Sequence, residues 1–282
     1  WEYQLKAEFD YALAQHGDLA PAFPSIVSAG DNNFCIHYYD YTGQAKDGDM
    51  ILNDVGAKYD NLFNDVSRGY PVNGKFSERQ KQLYMCAYNT SQHMFSIIKP
   101  GMKMRDVDRL AREFNFEQLK ALGLCDKLEE VGKYIWHGGA HHVGYDTHDL
   151  VEAEIVEPGM VFCVDIGIYC EEWGIGFRLE DNCLVTEDGC ENLILDLRDN
   201  TGGYLKSAQE IASYLLPDNT VIFREETKDG TKEDYKTISG YEQYKYKKIV
   251  VLVNGDTASA AEVLTAALRE HLGATVVGEK TY

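Results

Sequence analysis

Apolar positions Leu5, Phe9 and Leu13 recur at helical spacing, which predicts a helix over residues 2–16 ended by Pro21 and Pro24. Short turn-bounded apolar runs predict strands at Phe34–Tyr39, Asp49–Val55 and Ala57–Asp65. Ser77-Glu78 opens a long helical pattern through Ile98, stopped by Pro100-Gly101. A second helix is expected from Asp106 to about Leu122, with Val107, Leu110, Ala111 and Phe114 on one side and Gly123 as its stop. Strands return at Met160–Tyr169 and Gly176–Val185. After Leu193 the rhythm changes. Ile194–Leu197, Lys248–Val253 and Ala274–Gly278 read as strands alternating with helices Leu205–Leu216 and Ala258–His271, a parallel α/β pattern. Phe223–Tyr246, polar and rich in Lys, Glu and Tyr, is expected to be an exposed hairpin or lid.

Composition narrows the class. A chain of 282 residues with 44% hydrophobic content can bury one large core or two ordinary ones. The formal charge of −19, nearly all of it before residue 194, argues against a nucleic-acid partner. No apolar run is long enough for a membrane helix, so no membrane partner is expected. The chain starts at Trp1 without a signal-like segment, which suggests a fragment or processed product. All seven cysteines precede residue 194 and show no CxxC spacing, which points to free thiols in a reducing compartment. Cys163 and Cys170 fall in apolar runs, where a buried inert thiol is expected before a metal ligand.

Chemistry concentrates in five segments. Asp54 sits in Leu52-Asn53-Asp54-Val55-Gly56-Ala57 and Asp65 in Asn64-Asp65-Val66-Ser67-Arg68; two strands joined by a tight turn could place both carboxylates over one spot. His137-Gly138-Gly139-Ala140-His141-His142, continuing to His148, packs four histidines into twelve residues, which is not a core pattern. Glu157-Pro158-Gly159-Met160 leads to Asp165, and Gly174-Ile175-Gly176-Phe177-Arg178-Leu179-Glu180 ends on Glu180. Taken singly, an aspartate at a strand end is ordinarily a turn or cap residue, and a histidine a surface group.

Together and in this order, the segments resemble the pita-bread metallopeptidases, most closely aminopeptidase P (Xaa-Pro aminopeptidase) and prolidase, over residues 1–193. The resemblance implies an α+β fold: a curved antiparallel sheet flanked by helices. It implies metal-dependent hydrolysis of the amino-terminal bond of Xaa-Pro peptides. Asp65 and Glu180 would bridge two divalent ions, Asp54 would chelate one, and His141 and Asp165 would bind the other. Oxygen ligation with one imidazole suits Mn²⁺ first, with Co²⁺ or Fe²⁺ as alternatives. Such a pair activates a water for attack on the peptide carbonyl. His148 aligns with a histidine that steadies the tetrahedral intermediate, His37 and His137 with substrate-pocket histidines, and Arg178 with an arginine beside the bridging carboxylate. The family is mostly cytosolic, so a cytoplasmic location is expected.

Two departures stand out. The family's fourth ligand is usually a glutamate followed by Pro-Gly, and here it is Asp165-Ile166-Gly167. One methylene less of reach predicts weakened second-metal binding. The family's first catalytic-domain helix and its amino-terminal domain are not in this sequence; the apolar surface this would leave favours association, and a homodimer is one way to cover it.

Residues 194–282 resemble instead the C-terminal processing (tail-specific) serine proteases, through Leu195-Asp196-Leu197-Arg198-Asp199-Asn200-Thr201-Gly202-Gly203, Val251–Glu262 and Val276–Tyr282. That resemblance assigns Ser259 as nucleophile and Gly202-Gly203 to the oxyanion hole, with a lysine as general base. The lysine would fall two positions beyond Tyr282, so Ser259 is expected to be inert. A linker-free junction near residue 193 reads as a fusion of gene fragments or a chimera. Two further readings remain: a Ser–Lys endopeptidase as the main activity, and an impaired peptide-binding pita-bread module.

Overall fold

The computed structural model describes residues 1–15, 19–150, 154–192, 194–198, 200–228, 230–240 and 249–281. It divides into two compact units, Trp1–Asn192 and Leu193–Tyr282. The first runs α1 (Glu2–Ala14), β1 (Ala20–Pro21), β2 (Ile26–Ala29), β3 (Met50–Val55), β4 (Ala57–Tyr59), β5 (Leu62–Phe63), β6 (Val66–Pro71), α2 (Glu78–Ile97), α3 (Met104–Ala121), β7 (Ala140–His142), β8 (Val161–Cys170), β9 (Ile175–Val185) and β10 (Cys190–Asn192).

Six strands line up as β2-β3-β6-β9-β8-β7, with β10 also pairing β9, and every pair is antiparallel. The fold is the α+β pita-bread arrangement, a curled antiparallel sheet with helices against it. Its two faces differ because side chains alternate along a strand. On β8, Phe162, Val164, Ile166, Ile168 and Cys170 join the core that holds Leu83, Met94, Val107 and Leu119 of α2 and α3. The intervening Cys163, Asp165, Gly167 and Tyr169 therefore point to the opposite face. On β9 the same rule puts Phe177, Leu179 and Cys183 in the helix-covered core and Arg178 and Glu180 across from it.

α2 begins where the sequence indicates: Ser77 caps it, its side chain accepting from the Gln80 amide at 3.3 Å while Gln80 Oε1 accepts from the Ser77 amide at 2.8 Å. Phe34–Tyr39, expected as a strand, is instead the end of a 3-10 turn (Gly30–Phe34) and a loop. It joins no ladder; the Cys35 amide donates to the Asn32 carbonyl, and Arg178 donates to the Ile36 carbonyl at 3.1 Å. Ala57–Asp65, expected as one strand, instead folds back at Asp60-Asn61 as the β4–β5 hairpin, and that tight turn joins the β3 arm carrying Asp54 to the β6 arm preceded by Asp65, as the spacing suggested. β2 and β6 were not anticipated.

The second unit holds β11 (Ile194–Asp196), α4 (Leu205–Leu215), β12 (Val221–Glu226), β13 (Lys232–Lys236), β14 (Val250–Val253), α5 (Ala260–Leu272) and β15 (Thr275–Gly278). β11-β14-β15 form a parallel sheet, and β12–β13 is an antiparallel hairpin within the charged stretch. The core packs Ala208, Ala212 and Leu216 against Leu264, Leu268 and Val251. Tyr241–Tyr246 and Lys248 of the expected hairpin and strand, and His16 of the first helix, lie outside the described residues. No helix among the described residues is long and apolar enough to cross a membrane.

Candidate metal centre

A cavity of about 740 Å³ opens on the sheet face away from α2 and α3, and Asp54, Asp65, His141, Asp165 and Glu180 all line it. So do His37, His137, His148 and Arg178. Ligand-type side chains separated by up to 126 positions thus meet because neighbouring strands carry them on one face. Asp54 lies opposite Ser67 in the β3–β6 pair, Asp165 opposite Glu180 in the β8–β9 pair, and His141 opposite Cys163 in the β7–β8 pair. Asp65 sits just before β6 and is pinned through its backbone by Asn182, whose Nδ2 donates to the Asp65 carbonyl at 2.8 Å.

Asp65, His141, Cys163 and Glu180 each present one donor atom within 4.8 Å of the other three. His141 Nε2 lies 3.2 Å from Glu180 Oε1 and 3.7 Å from Asp65 Oδ2, while its Nδ1 faces the His142 carbonyl at 3.2 Å. A backbone carbonyl on Nδ1 fixes the ring and leaves Nε2 for the cavity. Ser67 Oγ donates to Glu180 Oε2 at 2.8 Å and orients that carboxylate. Asp54 is held from outside by Arg178, with 2.5 Å between Nη2 and Oδ2. Arg178 is buried and also donates to Tyr169 Oη at 2.9 Å. Asp165 Oδ2 lies 3.2 Å from His137 Nδ1, which also faces the Gly138 carbonyl at 2.8 Å. His148 stands edge-on to His141, ring centres 4.3 Å apart. His37, on the loop after Phe34, stacks on Tyr39.

The residues fit divalent cations. Asp54 Oδ1, Asp65 Oδ1 and Asp165 Oδ1 are buried without a hydrogen-bond partner, an arrangement costly for carboxylates unless a cation meets them. Burial and then the charges of Glu180 and Asp54 push Asp65 up to about 11. Burial, then repulsion from Glu180, likewise raises Asp165 well above the carboxylate range. Asp54 is raised by burial, against the pull of Arg178. Burial works against the charge of Glu180 too, yet hydrogen bonds from His141 and Ser67 hold it below its ordinary value. His137 falls to about 4 because burial, then Arg178, disfavours the imidazolium. Burial also lowers His148, helped by His141.

Sequence reasoning passed over Cys163, reading it as inert; the structure puts its sulfur inside the donor cluster. The signal was available in the strand period, since Cys163 is two residues from Asp165. It also passed over Phe23, Ile26 and Ile36, which give the cavity an apolar wall.

In the second unit Ser259 is exposed at the start of α5 with φ 56° and ψ −121°, a strained conformation for a residue with a side chain. Gly202 lies against it: a Cβ there would come within 2.7 Å of Ser259 Cβ. Gly202 and Gly203 both have positive φ, and the Gly202 amide donates to Asn200 Oδ1 at 3.0 Å. Among the described residues no lysine amine is hydrogen-bonded to the Ser259 hydroxyl.

Comparison with known proteins bears on both units. Xaa-Pro aminopeptidase of Escherichia coli strain K12 is 30% identical over 236 residues, covering 77% of this chain and 52% of the relative. The structure of Pseudomonas aeruginosa aminopeptidase PepP superposes with a TM-score of 0.65 at 34% identity, over 68% of this chain and 48% of that one. Zinc-substituted E. coli aminopeptidase P in complex with product gives 0.64 at 31% identity, over the same shares. The chain thus spans about half the length of the curated relatives it matches. A model of peptidase family S41 matches residues 182–282. The model of metallopeptidase family M24 matches residues 1–187, two thirds of the sequence, and the chain belongs to that family.

Proposed function

We propose that the first unit is a dinuclear metallo-aminopeptidase that removes the residue preceding proline at the amino end of a peptide. The observation that carries this reading is the convergence of Asp54, Asp65, His141 and Glu180 on one cavity, with carboxylate oxygens buried and unpartnered. Asp54, Asp65, Asp165, His141 and Glu180 would hold two divalent ions, Mn²⁺ first among the candidates; bound there, such ions acidify water and polarise a carbonyl. Asp65, His141 and Glu180 share one donor cluster, and Asp54 is locked by Arg178. His148 stands where it can donate to a carbonyl oxygen leaning toward His141. Neutral His137, beside Asp165, can hold or pass a proton at Nδ1. The apolar wall of Phe23, Ile26 and Ile36 excludes water and suits a pyrrolidine ring, with His37 at its rim. Peptide is thus the partner.

We further propose that the two units, 1–193 and 194–282, are separate functional regions and that Ser259 does not act as a nucleophile. The test pairs an elemental metal count on purified protein with release of the amino-terminal residue from an Xaa-Pro peptide. Release that is lost with a chelator and restored by Mn²⁺, and is untouched by Ser259→Ala, is the expected result. Cleavage that survives chelation and disappears in Ser259→Ala would overturn it.

A further inference from the structure

Cys163 lies on β8 directly opposite His141 of β7 and opposite Asn182 of β9. It is fully buried, 0% exposed, and its sulfur lies within 4.8 Å of a Glu180 carboxylate oxygen. Its sulfur shares a 4.8 Å cluster with one donor atom each from Asp65, His141 and Glu180, whereas Asp165 is outside that cluster and turned to His137. Asp65, only 3% exposed, adds an unpartnered oxygen, Oδ1, to the same spot. Cys163 and Asp165 are neighbours on one strand face: Asp165 Oδ2 contacts His137, while the Cys163 sulfur falls among the donor atoms of Asp65, His141 and Glu180.

We propose that Cys163 supplies a thiolate ligand to the metal cage, giving one metal position a mixed sulfur, nitrogen and oxygen donor set. The inference rests on the metal-centre reading above and deepens it. A soft thiolate biases a site toward Zn²⁺, Co²⁺ or Fe²⁺ and away from Mn²⁺. When the sulfur–metal bond forms, the S–H bond breaks and its proton leaves to solvent, so the sulfur carries the negative charge that the cation meets. Fully buried, the sulfur is shielded from solvent reagents, so its chemistry is that of a ligand, not of an exposed reactive thiol.

The test uses the full chain, stripped of metal under reducing conditions and titrated with Co²⁺ without oxygen. A near-ultraviolet thiolate-to-cobalt charge-transfer band is expected, saturating as cobalt is bound. Cys163→Ser and Cys163→Ala should lose the band while retaining cobalt, and Cys35→Ser, at an exposed cysteine, should keep it. Cobalt bound without the band, or a band that survives Cys163→Ser, overturns the ligand and leaves the cage standing. Failure to bind cobalt at all removes both. Zinc X-ray absorption on the unsubstituted chain needs no variant: sulfur in the first coordination sphere supports the assignment, and nitrogen and oxygen alone refute it.

Discussion

His137 Nδ1 lies 3.2 Å from Asp165 Oδ2, so the carboxylate at the position where aminopeptidase P-like sequences usually have glutamate is directed to an imidazole at the cavity wall. Aspartate reaches less far than glutamate by one methylene, and the β8–β9 ladder keeps its backbone in register with Glu180.

Lengthening that side chain should recover the missing reach. Asp165→Glu is expected to tighten the weaker of two Mn²⁺ sites by roughly tenfold, the scale on which changes around metal ligands act. Isothermal titration of both proteins after metal removal would show it. Two equally tight sites in the unsubstituted protein would contradict weakened second-metal binding.

Arg178 and Asp54 form a buried pair, and removing one partner strands the other's charge. Arg178→Gln should cost about 3–5 kcal/mol of stability, measured by denaturant unfolding of the metal-free protein. Arg178→Lys should recover only part of this, because an ammonium cannot serve Asp54, Tyr169 and the Ile36 carbonyl in the fixed planar geometry of a guanidinium.

Stability should fall as pH rises in the metal-free protein. Asp65 is raised in the fold to about 11, and Asp54 and Asp165 are raised as well. A carboxyl whose folded value exceeds its unfolded value contributes stability fully below the unfolded value, about 3.9, and loses it as pH climbs toward the folded value. Thermal unfolding should show the loss between about pH 5 and about pH 9. Divalent cations favour the ionised carboxylates, so added metal should flatten this slope and stabilise by about 2.7 kcal/mol per site at a hundredfold excess over Kd. A metal-free protein whose melting temperature rises with pH over this window would refute it.

Gly167 has no side chain because His137 occupies the space: a Cβ there would lie 2.2 Å from Nε2. Gly167→Ala should displace His137 and cost about 1–3 kcal/mol. If His137 positions substrate, the variant's metal content should stay near that of the parent while Xaa-Pro turnover falls, read by metal analysis beside the peptide assay.

The long helices were legible because each carries its own signals: the Ser77 cap, the Pro100-Gly101 stop, and the one-sided apolar stripe of Val107, Leu110, Ala111 and Phe114. β8 and β9 were legible as long apolar runs. β6 was not, since its buried positions are Ser67, Gly69 and Pro71. Ser67 is small and polar because it hydrogen-bonds Glu180, and Gly69 because Phe177 packs against it, reasons that exist only once β9 lies alongside. Phe34–Tyr39 failed in the opposite sense: it looks like a strand, but it joins no ladder, and Arg178 of β9 meets its Ile36 carbonyl.

Residue chemistry and local order belong to the amino-acid sequence alone, because motifs such as His137–His148 and Gly174–Glu180 are contiguous and carry their meaning within a few positions. What faces what is a different matter. That Asp165 is turned to His137 while Cys163 enters the cluster with Asp65, His141 and Glu180 depends on strand register and sheet curl. Those are set by pairings between residues far apart in the chain, as where Asn182 grips Asp65 across 117 positions, and no local pattern encodes them.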